Sequence, residues 1–267
     1  NRGFLQGILR LNTLSTSLVI ESLLKFILAV LFVWWGWNIM GAILPLLIGG
    51  IIAYFFTFGF VKKALGGIKE GGDVDYRSMV NYAFPVFLST LAFTSLYTTD
   101  VILARHFLLP QEAGFYAALS VLGKIIFFAA SPVVMVMFPL ISERHSNGKQ
   151  YKSFLFLSLG LVFLICLGAS LIYLIFPELM MRILFGSQYL VASSNLFLFG
   201  VFLSFYSLSF LLTNFYLSVK EVKIVALPII AALGQIIFIF LFLRFESIAH
   251  YPIYHICFFL FFLETHR

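Results

Sequence analysis

The chain has 267 residues, of which 62% are hydrophobic, 18% aromatic and 10% charged, and it carries a formal net charge of +6. Soluble domains hold roughly a quarter charged residues, and a globule of this length could not clothe so much apolar side chain in polar surface. Composition therefore excludes a water-soluble fold and leaves an integral membrane protein.

The opening residues, NRGFLQGILR, contain neither a start Met nor a signal peptide, so the chain reads as a fragment without its natural N-terminus. A hydrocarbon core of about 30 Å takes roughly 20 apolar residues per helix. Runs near that length predict spans at 12–36, 39–61, 80–105, 114–139, 153–176, 190–217, 222–243 and 249–263. The polar breaks between them are short, among them KKALGGIKEGGDVDYR, ERHSNGKQ and SVKEVK, and nothing alternates as a strand would. The fold class is all-α, a polytopic transmembrane helical bundle.

Loop Lys and Arg set the orientation. Arg2, Arg10, Lys62, Lys63, Lys69, Arg77, Arg144, Lys149, Lys152, Lys220, Lys223 and Arg267 fall on one side, which is predicted cytoplasmic. Only Arg105, Arg182 and Arg244 fall on the other, and Lys25 and Lys124 lie inside helices. This bias accounts for the basic charge without nucleic acid. Cys166 and Cys257 sit in separate apolar runs with no disulfide or metal spacing.

The segment starting at Phe4, FLQGILRLNTLSTSLVIESLLKFILAVLF, parallels one starting at Phe215, FYLSVKEVKIVALPIIAALGQIIFIFLFL. Each runs from an aromatic helix end through a short basic turn into an apolar helix with one polar interruption. The alternatives are an internal repeat, of the kind from which transporters are built, and two unrelated helices of similar composition.

The stretch LYTTDVILARHFLLPQEAGFYAALSVLGKIIFFAASPVVMVMFPLISE resembles the start of the second six-helix lobe of polysaccharide flippases of the MOP superfamily, which also holds the MATE multidrug exporters. RGFLQGILRLNTLS resembles the turn before the fifth helix of their first lobe. The resemblance spans about residues 2 to 243 and implies helices five to twelve of a two-lobed bundle. It places the end of the first lobe at 1–66, a cytoplasmic inter-lobe linker at 67–79 and the second lobe, of about six helices, at 80–267. WGWNIMGAILPLLIGG opens the sixth helix with small residues, as in the family, whereas RFESIAHYPIYHICFFLFFLETHR lacks that opening, as a truncated or frame-shifted end would. The implied function is transport of undecaprenyl-diphosphate-linked oligosaccharide from the cytoplasmic to the periplasmic leaflet, for lipopolysaccharide, capsule or exopolysaccharide. The implied location is the bacterial inner membrane. The implied partners are the lipid-linked sugar, membrane lipid, a polysaccharide polymerase and glycosyltransferases.

A charge near mid-bilayer is costly and usually faces water or a partner. Lys124 lies ten residues into its predicted helix, roughly 15 Å deep. Tyr116, Ser120, Lys124 and Ser131 fall on one face. That stripe reads as a cavity wall whose cation holds a diphosphate, or as a lysine paired for packing. A second stripe runs Thr13, Ser17, Glu21, Lys25, with Glu21 four residues before Lys25, the favourable order for an ion pair. It reads as a cavity wall or as a structural pair. Asp100 is a candidate gating or coupling carboxylate above Thr90, Thr94 and Tyr97, with capping or local pairing as its alternative. Arg105 is a candidate for the cavity or a snorkelling anchor, and Gln235 for an interhelical hydrogen bond. Pro45, Pro85, Pro132, Pro139 and Pro228 sit in or at the ends of predicted helices, as kinks or starts.

No P-loop, metal-ligand spacing or His/Asp/Ser arrangement is present, so no catalytic residue, metal or cofactor is expected and the chain is read as a transporter rather than an enzyme. Two rivals remain. A MATE-like cation antiporter would favour acidic groups at depth, whereas Glu21, Lys25 and Lys124 are net positive. A membrane polymerase or glycosyltransferase would display a long outer loop, whereas GWN, HFLLPQEA and the stretch 177–189 are short.

Overall fold

The computed structural model describes residues 2–65 and 76–246. Among these every regular element is helical, and seven helices are long and apolar enough to cross a membrane. The predicted span at 249–263, and most of the linker at 67–79, lie outside the described residues. The chain divides into two compact units, Asn1–Val74 and Asp75–Arg267.

The first unit holds α1 (Arg2–Gly7), α2 (Leu11–Trp34) and α3 (Asn38–Leu65). α2 and α3 form an antiparallel hairpin closed by Trp35–Trp37. Gly36 takes φ +87°, a left-handed conformation that glycine adopts without a Cβ penalty, and Trp37 N–H then donates to Phe32 C=O at 3.1 Å. The helices touch through their backbones here: a Cβ on Gly41 would lie 2.8 Å from the Phe32 carbonyl carbon. Trp34, Trp35 and Trp37 are the three tryptophans of the chain, and all are exposed around this turn. Amphipathic rings of this kind settle at the membrane–water boundary.

The second unit holds α4 (Tyr76–Phe107), α5 (Pro110–Ser146), α6 (Lys152–Ile175), α7 (Pro177–Phe185), α8 (Leu196–Ser218) and α9 (Ala226–Glu246). Short 3-10 segments, Ser187–Asn195 and Val222–Val225, lead into α8 and α9. α5 is the central helix. Its buried stripe from Ala118 to Ile141 packs with Val162, Cys166 and Tyr173 of α6 and with Leu196, Phe199 and Leu211 of α8. Small residues allow the close crossings that membrane helices favour. A Cβ on Gly123 would meet the Leu203 side chain at 3.0 Å, and one on Gly200 would meet the Tyr173 ring at 2.9 Å.

Four interhelical hydrogen bonds share one form, a long side chain donating to a backbone carbonyl of another helix. Tyr173 OH reaches Leu122 O at 2.7 Å, Tyr206 OH reaches Phe93 O at 2.9 Å, Tyr82 OH reaches Leu217 O at 2.7 Å, and Gln235 Nε2 reaches Leu96 O at 3.0 Å. Gln235 thus takes the interhelical role its depth predicts. Such bonds contribute only about 0.6 kcal/mol each in membrane proteins, so they fix register while apolar packing supplies most of the cohesion.

The structure refines the sequence reading in two places. Residues 177–189, read as an outer loop, contain the helix α7. Pro177 at its first position is pre-set for a helix start, and nine residues fall below the length at which an apolar run registers as a span. Second, the two segments that parallel each other at an offset of 211 residues carry the same turn. Leu9 has φ +56° and Lys220 has φ +65°, both rare for residues with a Cβ. Arg10 N–H donates to Leu5 O at 3.0 Å and Glu221 N–H to Tyr216 O at 2.9 Å, the 6→1 bond of a Schellman turn. Leu9 N–H donates to Gln6 O at 3.1 Å and Lys220 N–H to Leu217 O at 3.0 Å. Each of these atoms matches its counterpart at the repeat offset.

The Gly200 crossing is expected to tolerate no larger residue. Gly200→Val should lower stability by about 1–3 kcal/mol through overpacking, whereas Gly168→Ala, where no atom lies within 4 Å of the new Cβ, should be neutral or better. Thermal unfolding of the purified protein in detergent reads both.

Candidate functional site

α4 and α5 are joined only by Leu108 and Leu109, with Pro110 starting α5. A connection this short folds the helices back on each other as an antiparallel hairpin. Residues at similar distances from the turn then become neighbours, which brings Asp100 of α4 against Tyr116 of α5 and, through the reach of the lysine side chain, Tyr97 beside Lys124. Asp100 is buried, and Tyr116 OH donates to its Oδ2 at 2.8 Å. Its Oδ1 is buried without a hydrogen bond. The Asp100 reading of local pairing is therefore met across the hairpin rather than along α4.

Lys124 is half-buried, four residues from the middle of α5, or about 6 Å along the helix. Its Nζ stands 5.5 Å from the centroid of the Tyr97 ring, and its charge acts on Asp100. Among the described residues no carboxylate lies within ion-pairing distance of Nζ. Tyr97 is itself fixed by Phe127 and Tyr206, at 5.8 and 6.0 Å between ring centroids. Magnitudes decide how this cation is held. Placing a lysine at helix centre costs about 2.5–3.5 kcal/mol on insertion scales, while a cation–π contact returns about 0.5–2 kcal/mol. The ring alone does not offset the charge, so the ammonium retains capacity for an anion or for water.

The rest of the predicted stripe is less open. Ser120 is 2% exposed and packed within the bundle, and Ser131 is half-buried and donates to Phe128 O at 3.1 Å. Arg105 is exposed in the last turn of α4, as a snorkelling anchor would be, and is not brought into the Asp100–Lys124 group. Thr90 and Thr98 return their hydroxyls to their own helix, at Val86 O and Thr94 O. Tyr97 as the partner of Lys124 was not foreseen. The hairpin register would have found it once the α4–α5 turn was recognised.

In the first unit, Glu21 and Lys25 form the ion pair that their spacing predicts, with both side chains half-buried. The Lys25 stem lies across α3, where a Cβ on Gly49 would meet Lys25 Cγ at 2.5 Å. Ser17, one turn earlier, is 1% exposed, and its Oγ has no hydrogen-bond partner among the described residues.

Comparison with known proteins gives one result. The family described as polysaccharide biosynthesis protein matches residues 1–145, which includes α2, α3, α4 and nearly all of α5. No curated protein and no solved structure matches the chain.

Two substitutions test the geometry. Tyr116→Phe deletes the donor to Asp100 Oδ2 and should destabilise the protein by about 1–3 kcal/mol, the cost of stranding a buried acceptor. Adding Asp100→Leu should cost less on the Tyr116→Phe background than on the wild type, because the two groups share one interaction. A thermal-melt double-mutant cycle checks this, and additive effects would contradict it. Likewise Gly49→Leu should displace the Lys25 stem and lower the melting temperature more than Gly50→Leu, where nothing lies within 4 Å of the Cβ.

Proposed function

The chain belongs to the polysaccharide biosynthesis protein family, and from that premise we propose that it is a transporter that flips undecaprenyl-diphosphate-linked oligosaccharide across the bacterial inner membrane. The observation that carries the reading is Lys124, an ammonium group deep in α5 with an aromatic ring on one side and, among the described residues, no salt bridge to neutralise it. A lipid-linked sugar presents three chemistries at once. The hydrocarbon tail stays in the bilayer, the glycan needs hydroxyl and aromatic contacts, and the diphosphate needs a cation that hydrocarbon cannot provide. Lys124 supplies the cation, Tyr97 and Tyr116 supply ring faces and a hydroxyl, and Asp100 Oδ1 is a free acceptor. In the first unit, the Glu21–Lys25 pair keeps a further cation within the apolar span together with its counter-ion. Asp100 holds the gating role in this proposal, because it is the carboxylate on which the Lys124 charge acts and its hold on that charge would change when a diphosphate arrives. Movement of the substrate then requires the helices to exchange between arrangements open to each leaflet.

A second reading draws on Asp100 alone. A buried carboxylate with an unpartnered oxygen suits a cationic ligand, which is the chemistry of a MATE-like antiporter. The membrane polymerase or glycosyltransferase reading has less behind it. The α4–α5 link has two residues outside helix, and α7 occupies much of the 177–189 stretch, so the described outer segments leave little chain for a catalytic loop.

Lys124→Ala, in a strain that depends on this protein, should abolish or severely reduce surface polysaccharide at unchanged membrane abundance, and Lys124→Arg should restore part of it. Full polysaccharide output from Lys124→Ala would refute the substrate role. Efflux of a cationic dye that is lost in Asp100→Asn and retained in Lys124→Ala would favour the antiporter.

A further inference from the structure

A single residue, Phe176, separates α7 from α6, so α6 fixes where it lies. α6 starts at Lys152, beside Arg144 and Lys149 on the basic face, and runs 24 residues. At 1.5 Å per residue that is about 36 Å, enough to cross a core of about 30 Å. Phe176 therefore reaches the opposite boundary, and α7 starts there. Leu174 and Ile175 at the end of α6, and Phe176 after them, are all exposed, as lipid-facing residues are.

α7 has three distinct sides at helical spacing. Glu178 and Arg182, four residues apart, form a charged strip. Met181 and Phe185 anchor the helix to the bundle: Met181 is fully buried, and Phe185 meets Tyr189, which in turn meets Phe115 at the start of α5, with ring centroids 5.6 and 5.7 Å apart. Leu179, Ile183 and Leu184, at 49%, 67% and 53% exposure, lie off the charged strip: Ile183 and Leu184 fall on the far side, Leu179 flanks the strip, and the partly buried Met180 packs between Ile183 and Leu184. Scattered exposed apolar residues need no explanation, but two leucines and an isoleucine set off from a charged strip, on a helix that starts at the membrane boundary, do. We propose that α7 is an interfacial helix. It lies flat in the leaflet opposite the basic loops, with Leu179, Ile183 and Leu184 in the acyl-chain boundary and Glu178 and Arg182 toward the headgroups and water. The occupant of this face is lipid, because the helix follows directly on the exposed apolar end of α6 and the charges mark another side as wet. The inference is independent of what the protein carries.

Nitroxide labels on single cysteines test it in the intact protein, with Cys166 and Cys257 replaced by Ser, in phosphatidylethanolamine–phosphatidylglycerol vesicles. Labels at Leu179, Ile183 and Leu184 should each show a collision ratio for oxygen over a water-soluble nickel chelate several-fold higher than labels at Glu178 and Arg182. Equal, water-like ratios at all five positions would overturn the proposal. So would labels at Leu179, Ile183 and Leu184 that neither reagent reaches, since another segment of protein would then cover the face. A photocrosslinking phenylalanine at Leu184, irradiated in native membranes, gives a second reading that needs no cysteine replacement. Adducts with phospholipid support the inference, and adducts with polypeptide alone defeat it.

Discussion

A carboxylate in a place without water must be held by something, and in this protein that need organises the α4–α5 hairpin. Tyr116 takes one oxygen of Asp100, Lys124 lends its charge from the next turns of α5, and Tyr97 faces the ammonium from α4. None of these contacts completes the neutralisation. A fully satisfied cluster would be a staple. An incompletely satisfied one, with an oxygen and an ammonium that no hydrogen bond or salt bridge among the described residues takes up, retains affinity for further ions or hydroxyls. The same economy appears elsewhere in the unit, where tyrosine and glutamine side chains bond carbonyls that their own helices already use. The tyrosine bonds mark where the bundle is held still, whereas Gln235 spends its Nε2 on Leu96 O and keeps Oε1 buried without a hydrogen bond among the described residues.

Most of the helical architecture was legible from sequence because the bilayer imposes a length on each apolar run. The seven spans among the described residues lie where the runs lie, apart from their ends. α4 and α5 extend several residues past their apolar limits, because a helix can continue into water as long as its backbone bonds are made within it. α7 was missed because hydropathy over a long window is blind to a nine-residue helix with two charges. The candidate site was half legible. Lys124 and Asp100 declare themselves by being charged in apolar surroundings, and Glu21–Lys25 by spacing. Which partners each would meet depended on the register of the α4–α5 hairpin, and periodicity within one helix does not contain that register. This is why Arg105, close to Asp100 in sequence, stands apart from the group, while Tyr116, sixteen residues away, bonds to it.

Leu9 and Lys220 show how structure can sharpen a weak sequence signal. The two segments share few identical residues, yet each ends its helix with a left-handed residue at the same place in the alignment and closes it with the same hydrogen bonds. Positive φ at a residue bearing a Cβ costs roughly 1–2 kcal/mol. The shared turn adds a structural likeness to the sequence likeness, in a form that closes roughly a third to a half of all helices.

The crowding of Trp34, Trp35 and Trp37 into one turn has an optical consequence. Every indole of this sequence sits within four residues at one end of the α2–α3 hairpin. Ultraviolet emission excited selectively from indole would thus come from a single locality, without any dye being attached. A shift of its wavelength maximum during turnover would report the wetting of that hairpin tip and nothing elsewhere in the sequence.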